Sequence, residues 1–200
     1  MTTLINASTT AGLIQTADTT GNLSLQSNGT TILALTSAGA AVTGTLSATG
    51  LISPSQTVGI VGTTTNNSAQ AGSIGEFISS VVSGVSSGYT TGTTVNVTSI
   101  SLTAGDWDVW GLVFFNPTAS STMVSIRNSV TTTSATLGAE DASCQMNGPV
   151  GDPAVATTVL TPTVRFLLSA TTTVYLVGAT SFSSAGTYGA NGTIRARRRR

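Results

Sequence analysis

Two carboxylates stand two residues apart in Gly105-Asp106-Trp107-Asp108-Val109, and on a strand that spacing places both on one face. Such a pair would hold a hard cation such as Ca²⁺ if Asp141 or Asp152 completed the oxygen set; without them it is a solvated strand start beside a turn. Glu76, Glu140 and Asp141 are the carboxylates from which a glycoside-cleaving pair would be drawn, but that chemistry needs a fixed separation across a sugar, and no spacing here selects a pair. Cys144 is the single thiol, so no disulfide holds the chain, and it has the look of a small loop or core residue. Five of the seven arginines fall in one run: Arg195, Arg197, Arg198, Arg199 and Arg200. Arg197, Arg198, Arg199 and Arg200 are candidates for contact with an anion, set against the plainer reading of an edge strand and a solvated tail. Basic residues interleaved with stacking aromatics are not seen, so no nucleic-acid partner is expected.

The reagents of most enzymes are missing. There is no histidine and no lysine, which removes the usual bases near neutral pH and the commonest zinc or copper ligand. We therefore expect no catalytic residue, no metal and no cofactor.

Ser and Thr make up about a third of the chain, Gly adds 22 residues, and only 7% of residues are charged. With 40% apolar residues, no net charge and a mean hydropathy of +0.30, the chain must fold or aggregate. Thr and Val suit pleated surfaces while Gly and Asn-Gly supply turns, so the fold class is all-β. So few charges leave a monomer open to edge-to-edge association, which points to burial against copies of itself. The sequence shows neither the basic start and apolar core of a signal peptide nor an apolar run of spanning length; export by that route and membrane insertion are not expected.

Composition divides the chain. Residues 1–60 hold one charged side chain, Asp18, and no aromatic; 61–72 read as a small polar linker; 73–200 carry all Phe, Trp and Tyr. In the first part, Asn22–Gln26 and Thr31–Leu35 alternate about Ser27-Asn28-Gly29, a turn that needs positive φ, and so form a hairpin. Val42–Ala48 and Leu51-Ile52 follow as short strand-like pieces. One hairpin is not stable alone, so Leu23, Leu25, Leu35, Val42 and Leu46 are expected to pack against symmetry mates, or the arm to lie in a groove on another protein.

In the second part, strands are expected over Gly75–Val82, over Thr94–Leu102 with a bulge at its phase slip, and over Asp106–Phe115, apolar on both faces late in its length. Further strands are expected at Met123–Arg127, Thr163–Leu168, Thr172–Ala179 and Gly192–Arg197, with residues 131 to 156 mostly loop. About eight strands in that length suit a jelly-roll sandwich. Phe77, Trp107, Trp110, Phe114, Phe166 and Tyr175 are the candidate core and subunit contacts. Tyr89 and Tyr188, flanked by Gly and Ser, are the candidates for exposed loops and glycan contact.

The run Ile100-Ser101-Leu102-Thr103-Ala104-Gly105-Asp106-Trp107-Asp108-Val109 resembles the strand-turn-strand of phage fibre tip domains with a C1q- or TNF-like jelly roll. Gly75-Glu76-Phe77 after the linker, and Ile194-Arg195-Ala196-Arg197-Arg198, are similar to the start and end of such domains. Ile5-Asn6-Ala7-Ser8-Thr9, Asp18 and Leu23-Ser24-Leu25-Gln26 resemble the opening of phage structural proteins. The resemblance implies a homotrimer: an N-terminal β arm or short shaft attached to phage capsid or tail proteins through residues 1–60, and an exposed C-terminal knob. It implies a non-enzymatic fibre or capsid decoration protein on the virion surface, made in the bacterial cytoplasm and in contact with bacterial surface polysaccharide. The alternatives are a tail fibre tip for adsorption and a carboxylate-based depolymerase.

Overall fold

A computed structural model of the chain describes residues 22–49, 64–117, 122–148, 156–183 and 187–200, with the side chains of 85–88 excepted. The chain divides into two compact units, Met1–Thr64 and Thr65–Arg200.

The first unit is an antiparallel sheet of β1 (Leu23–Ser27), β2 (Thr30–Thr36) and β3 (Gly39–Val42). Asn28 and Gly29 sit at φ 49° and 76°, the two left-handed positions of a hairpin turn whose twist matches its strands. Leu23 faces Leu35, Leu25 faces Leu33 and Leu33 faces Val42, so these side chains share one face of the sheet. No described residue of this unit is buried. The strand expected over Val42–Ala48 instead ends at Val42, because Gly44 at φ 112° breaks the extended run; Leu46 lies beyond it, 71% exposed. Leu51, Ile52 and Asp18 lie outside the described residues.

The second unit is an antiparallel sandwich. One sheet orders β10 (Val164–Leu168), β6 (Gly105–Pro117), β12 (Thr187–Arg198) and β4 (Phe77–Thr90), with β9 (Thr157–Leu160) also on β6. The other orders β5 (Val95–Leu102), β11 (Thr172–Phe182), β7 (Met123–Thr131) and β8 (Ser143–Asn147). Successive strands from β4 onward largely alternate between the sheets, as in a jelly roll. The expected bulge is present: Leu176 and Val177 of β11 pair with Thr98 and Asn96, leaving Val97 as the extra residue.

Alternation along β6 builds the core. Trp107, Val109, Val113 and Phe115 point inward and are fully buried, joined by Ile126, Val130, Val174, Leu176 and Ile194. Where the sheets come closest, Gly111 stands beneath Leu176, whose Cδ1 lies 2.9 Å from where a Cβ would sit. Polar clasps also join the sheets: Ser80 Oγ lies 2.6 Å from Thr98 Oγ1, and the Asn128 side-chain amide donates to the Val159 carbonyl at 2.7 Å.

The region expected to be mostly loop holds more order than its prolines suggest. Glu140–Ala142 form a short 3-10 helix and Ser143–Asn147 add β8 to the edge of β7. Pro149 and Pro153 lie outside the described residues. The first strand of the sandwich also runs on to Thr90, past the expected Val82, with register shifts against β12 absorbing its irregular Gly- and Ser-rich half.

Candidate functional site

Three features of the sandwich bear on function: a latch that joins its first and last strands, a charged cluster beside it, and an apolar outer face.

The latch begins at Glu76, just before β4. Its carboxylate accepts hydrogen bonds from Arg198 Nε at 2.8 Å and from the Gly72 amide at 2.8 Å, and both ionic side chains are nearly buried. Backbone bonds close the same joint, Arg198 N–H to the Glu76 carbonyl at 2.9 Å and Gly75 N–H to the Arg198 carbonyl at 3.1 Å. The guanidinium also donates to the Ala104 carbonyl and to Thr103 Oγ1, and it lies 4.2 Å from the centre of the Trp107 ring. Trp107 Nε1 in turn donates to the Thr103 carbonyl at 3.0 Å. Gly105, at φ 147°, is needed here, since a Cβ would fall 2.0 Å from Arg198 Nη1. Burial is the largest influence on the Glu76 carboxyl and acts to raise its pKa. The Gly72 amide and the hydrogen bond and charge of Arg198 together outweigh it and hold the group below the usual carboxylate range.

Beside the latch, Asp106 receives a two-pronged grip from Arg165, Nε to Oδ1 at 2.8 Å and Nη2 to Oδ2 at 2.7 Å, and Arg200 reaches Oδ2 at 3.0 Å. The Arg165 hydrogen bond lowers the Asp106 pKa against the opposing effect of burial, with charge from Arg165, Arg200 and Arg199 adding to it. Asp108 pairs with Arg199 at 3.4 Å.

These contacts settle where the sequence-derived candidates stand. Asp106 and Asp108 do share a strand face, but arginines occupy the first and pair with the second; Asp152 lies outside the described residues. Glu76 is committed to the latch, whereas Glu140 and Asp141 are exposed neighbours on the 3-10 helix. The expectation of an anion-contacting arginine tail is corrected: Arg198 is buried in the latch, and Arg199 and Arg200 are drawn down onto Asp108 and Asp106. Arg197 alone of the four makes no ion pair among the described residues. The carboxylates at the start of β6 stand beside the end of β12, and alternation carries Arg198 inward.

The exposed-loop assignment of Tyr188 is also corrected. It lies in β12, fully buried, and its hydroxyl donates to the Thr93 carbonyl at 3.0 Å. Burial foremost, and then the proximity of Tyr89, pushes its phenol pKa up. Tyr89 is half-buried in β4, its ring 5.2 Å from that of Tyr188, while Phe115 and Phe182 complete an aromatic cluster. Flanking Gly and Ser misled because they reflect a bulged strand pair rather than a loop.

Trp107 and Trp110 are separated by an odd number of residues and so face opposite ways. Trp107 is core; Trp110 points outward with Leu112 and Phe114. Pairing extends this outer surface. Phe77 of β4 stacks obliquely on Trp110 at 6.3 Å, Val81 is 65% exposed, and Leu160 of β9, opposite Leu112, is 65% exposed. Arg195 lies beside Trp110 in the ladder, and Arg197 lies between Phe77 and Asp108. Phe166 packs inward against the core, and Tyr175 is half-buried on the other sheet. Cys144, half-buried on β8, is a free thiol packed against the core.

Fold and surface define an all-β jelly-roll sandwich, preceded in the chain by a small β-sheet unit, with an apolar outer face that no described residue of the sandwich covers. No protein-family model matches the chain, and no curated protein matches it. Among solved structures it is similar to the infectious bursal disease virus VP2 subviral particle, at 14% identity and a TM-score of 0.41, covering 62% of this chain and 32% of that one. It is also similar to T=1 particles derived from the same virus (14% identity, TM-score 0.42, 62% of this chain and 32% of that one). The virus's Gx strain gives 15% identity and a TM-score of 0.38, over 70% of this chain and 37% of that one. The chain spans about a third of the length of these viral chains, and likeness at this level carries no argument about its role.

Proposed function

We propose that this chain is a non-enzymatic structural protein of a tailed-phage particle, a homotrimeric fibre or capsid decoration protein whose residues 1–60 attach it to the particle and whose sandwich forms the knob. One observation carries the reading. The outer face of the five-stranded sheet carries the half-buried Trp110, Leu112 and Phe114 beside the exposed Phe77, Val81 and Leu160, in a protein with only 7% charged residues. A contiguous apolar face of this kind marks an association surface. The first unit supports the same reading, since its leucine face has nothing in its own sheet to cover it and three strands without a packed partner are marginal. The phage setting rests on the sequence resemblance of residues 100–109, 75–77 and 194–198 to fibre tip domains.

Native mass measurement at micromolar concentration tests assembly; a trimer is expected, and a monomer overturns the reading. Labelling purified particles tests location, with the protein expected on the particle surface and its absence there counting against a virion role. Removal of residues 1–60 is expected to abolish incorporation while leaving a soluble trimer of knobs.

A further inference from the structure

We infer that neighbouring copies meet head to tail, the outer face of the five-stranded sheet of one copy receiving the β8 edge of the next, with Arg195 and Arg197 set against Glu140 and Asp141. The inference rests on the self-assembly reading above and goes further by naming both sides of the contact.

Arg165, Arg198, Arg199 and Arg200 are paired with Asp106, Glu76 and Asp108. Arg127 lies on the other sheet between Gln145 and Ala179. Among the described residues, Arg195 and Arg197 remain exposed cations without an ion pair, and both project from β12 onto the apolar face. Among the described residues, the exposed acids left without an ion pair are Glu140 and Asp141, consecutive on the 3-10 helix that leads into β8. Among the described residues, two exposed unpaired cations therefore lie on one surface and two exposed unpaired acids on another, with the half-buried Arg127 standing beside β8.

That division decides between modes of association. A two-fold dimer through the apolar face would bury Arg195 and Arg197 of both copies in one contact with no unpaired acid of that face, among the described residues, to meet them. A head-to-tail contact places cations against anions instead, and repeated by rotation it closes a ring with every face covered. The β8 side also offers what an apolar face needs: Met146 is 43% exposed, and β8 is a sheet edge whose outer backbone groups have no strand partner among the described residues.

The test uses the full chain with R195E/R197E, with E140R/D141R, and with all four changes together. Each double reversal is expected to weaken assembly by about a hundredfold or more at low salt, measured by sedimentation and native mass. The fourfold variant, which restores opposite charges with the signs exchanged, is expected to recover the trimer. All four positions are exposed, so circular dichroism should stay unchanged; if a reversal does unfold the chain, the neutral pair R195Q/R197Q replaces it, with about a tenfold loss expected. An unmodified monomer overturns the self-assembly reading itself. A trimer that resists both double reversals, or a two-fold dimer, overturns only the head-to-tail contact.

Discussion

The two outer faces of the sandwich are both built from antiparallel strands, and they show water different things. The four-stranded sheet presents Ser99, Ser101, Thr173, Ser125, Gln145 and Asn147, and it covers what is apolar with its own chain. The loop after β7 folds back over it: Gly138 N–H donates to Ser129 Oγ at 2.8 Å, and Asn96 bonds both Ser134 Oγ and the Ala135 amide at 2.7 Å. Val177, on this face, is thereby fully buried. The five-stranded sheet has no such cover among the described residues: Phe77, Val81 and Leu160 are exposed there beside the half-buried Trp110, Leu112 and Phe114. Low charge is thus not a uniform property of the surface. One face solves its exposure with hydroxyls, amides and a loop, and the other is the face assigned to the proposed partner copy.

The sharpest way to break this contrast is to place a charge on each face in turn. Trp110→Arg sets a third cation beside Arg195 at the centre of the apolar face and is expected to dissociate the proposed trimer, a loss of at least about 3 kcal/mol per contact. Tyr175→Arg, on the hydroxyl-rich face, is expected to leave assembly intact. Light scattering on both variants decides; dissociation by Tyr175→Arg and tolerance of Trp110→Arg would reverse the assignment of faces.

A second change separates the strength of the fold from the stickiness of its surface. Glu76→Ala leaves Arg198 buried against Trp107 without its counter-ion, and removing one member of such a pair costs about 3 kcal/mol. The denaturation midpoint should fall accordingly. An unchanged midpoint would mean that the latch is solvated and contributes little.

The same latch sets the response to acid. Glu76 and Asp106 have pKa values lowered by folding, so their stabilisation is present above the unfolded-state values near 4 and is lost as pH falls through the folded ones. Stability is expected to be flat from neutrality to about pH 5 and to decline below about pH 4. Glu76→Gln should flatten part of that decline; an identical acid slope in the variant would assign the effect to other carboxylates.

Much of this was legible in the sequence, and the failures have physical causes. Period-two alternation in β1, β5 and β6 and the Asn28-Gly29 turn are local signals, and local structure followed them. Tyr188 and Arg198 were misjudged because their environments come from distant chain: Tyr188 meets Thr93, and Arg198 meets Glu76. Arginine next to arginine reads as a solvated tail until it is known that Asp106 and Asp108 stand beside it in the fold. The outward turn of Trp110, by contrast, was readable from its three-residue offset from Trp107.

The smallest expected effect concerns the covered face. Ser129→Ala removes the acceptor for the Gly138 amide, and one such hydrogen bond contributes about 1 kcal/mol. The loop is also tied by Asn96, and Gly138 is tightly seated, a Cβ there falling 2.9 Å from the Val130 carbonyl, so the loop should loosen rather than leave. Hydrogen exchange at residues 132–139 is expected to quicken while the rest of the sandwich and its assembly stay as they were. Exchange that remains slow would show that the loop is held by packing over Val177 and not by its hydrogen bonds. New self-association in the variant would show instead that this cover is what keeps the second face from behaving like the first.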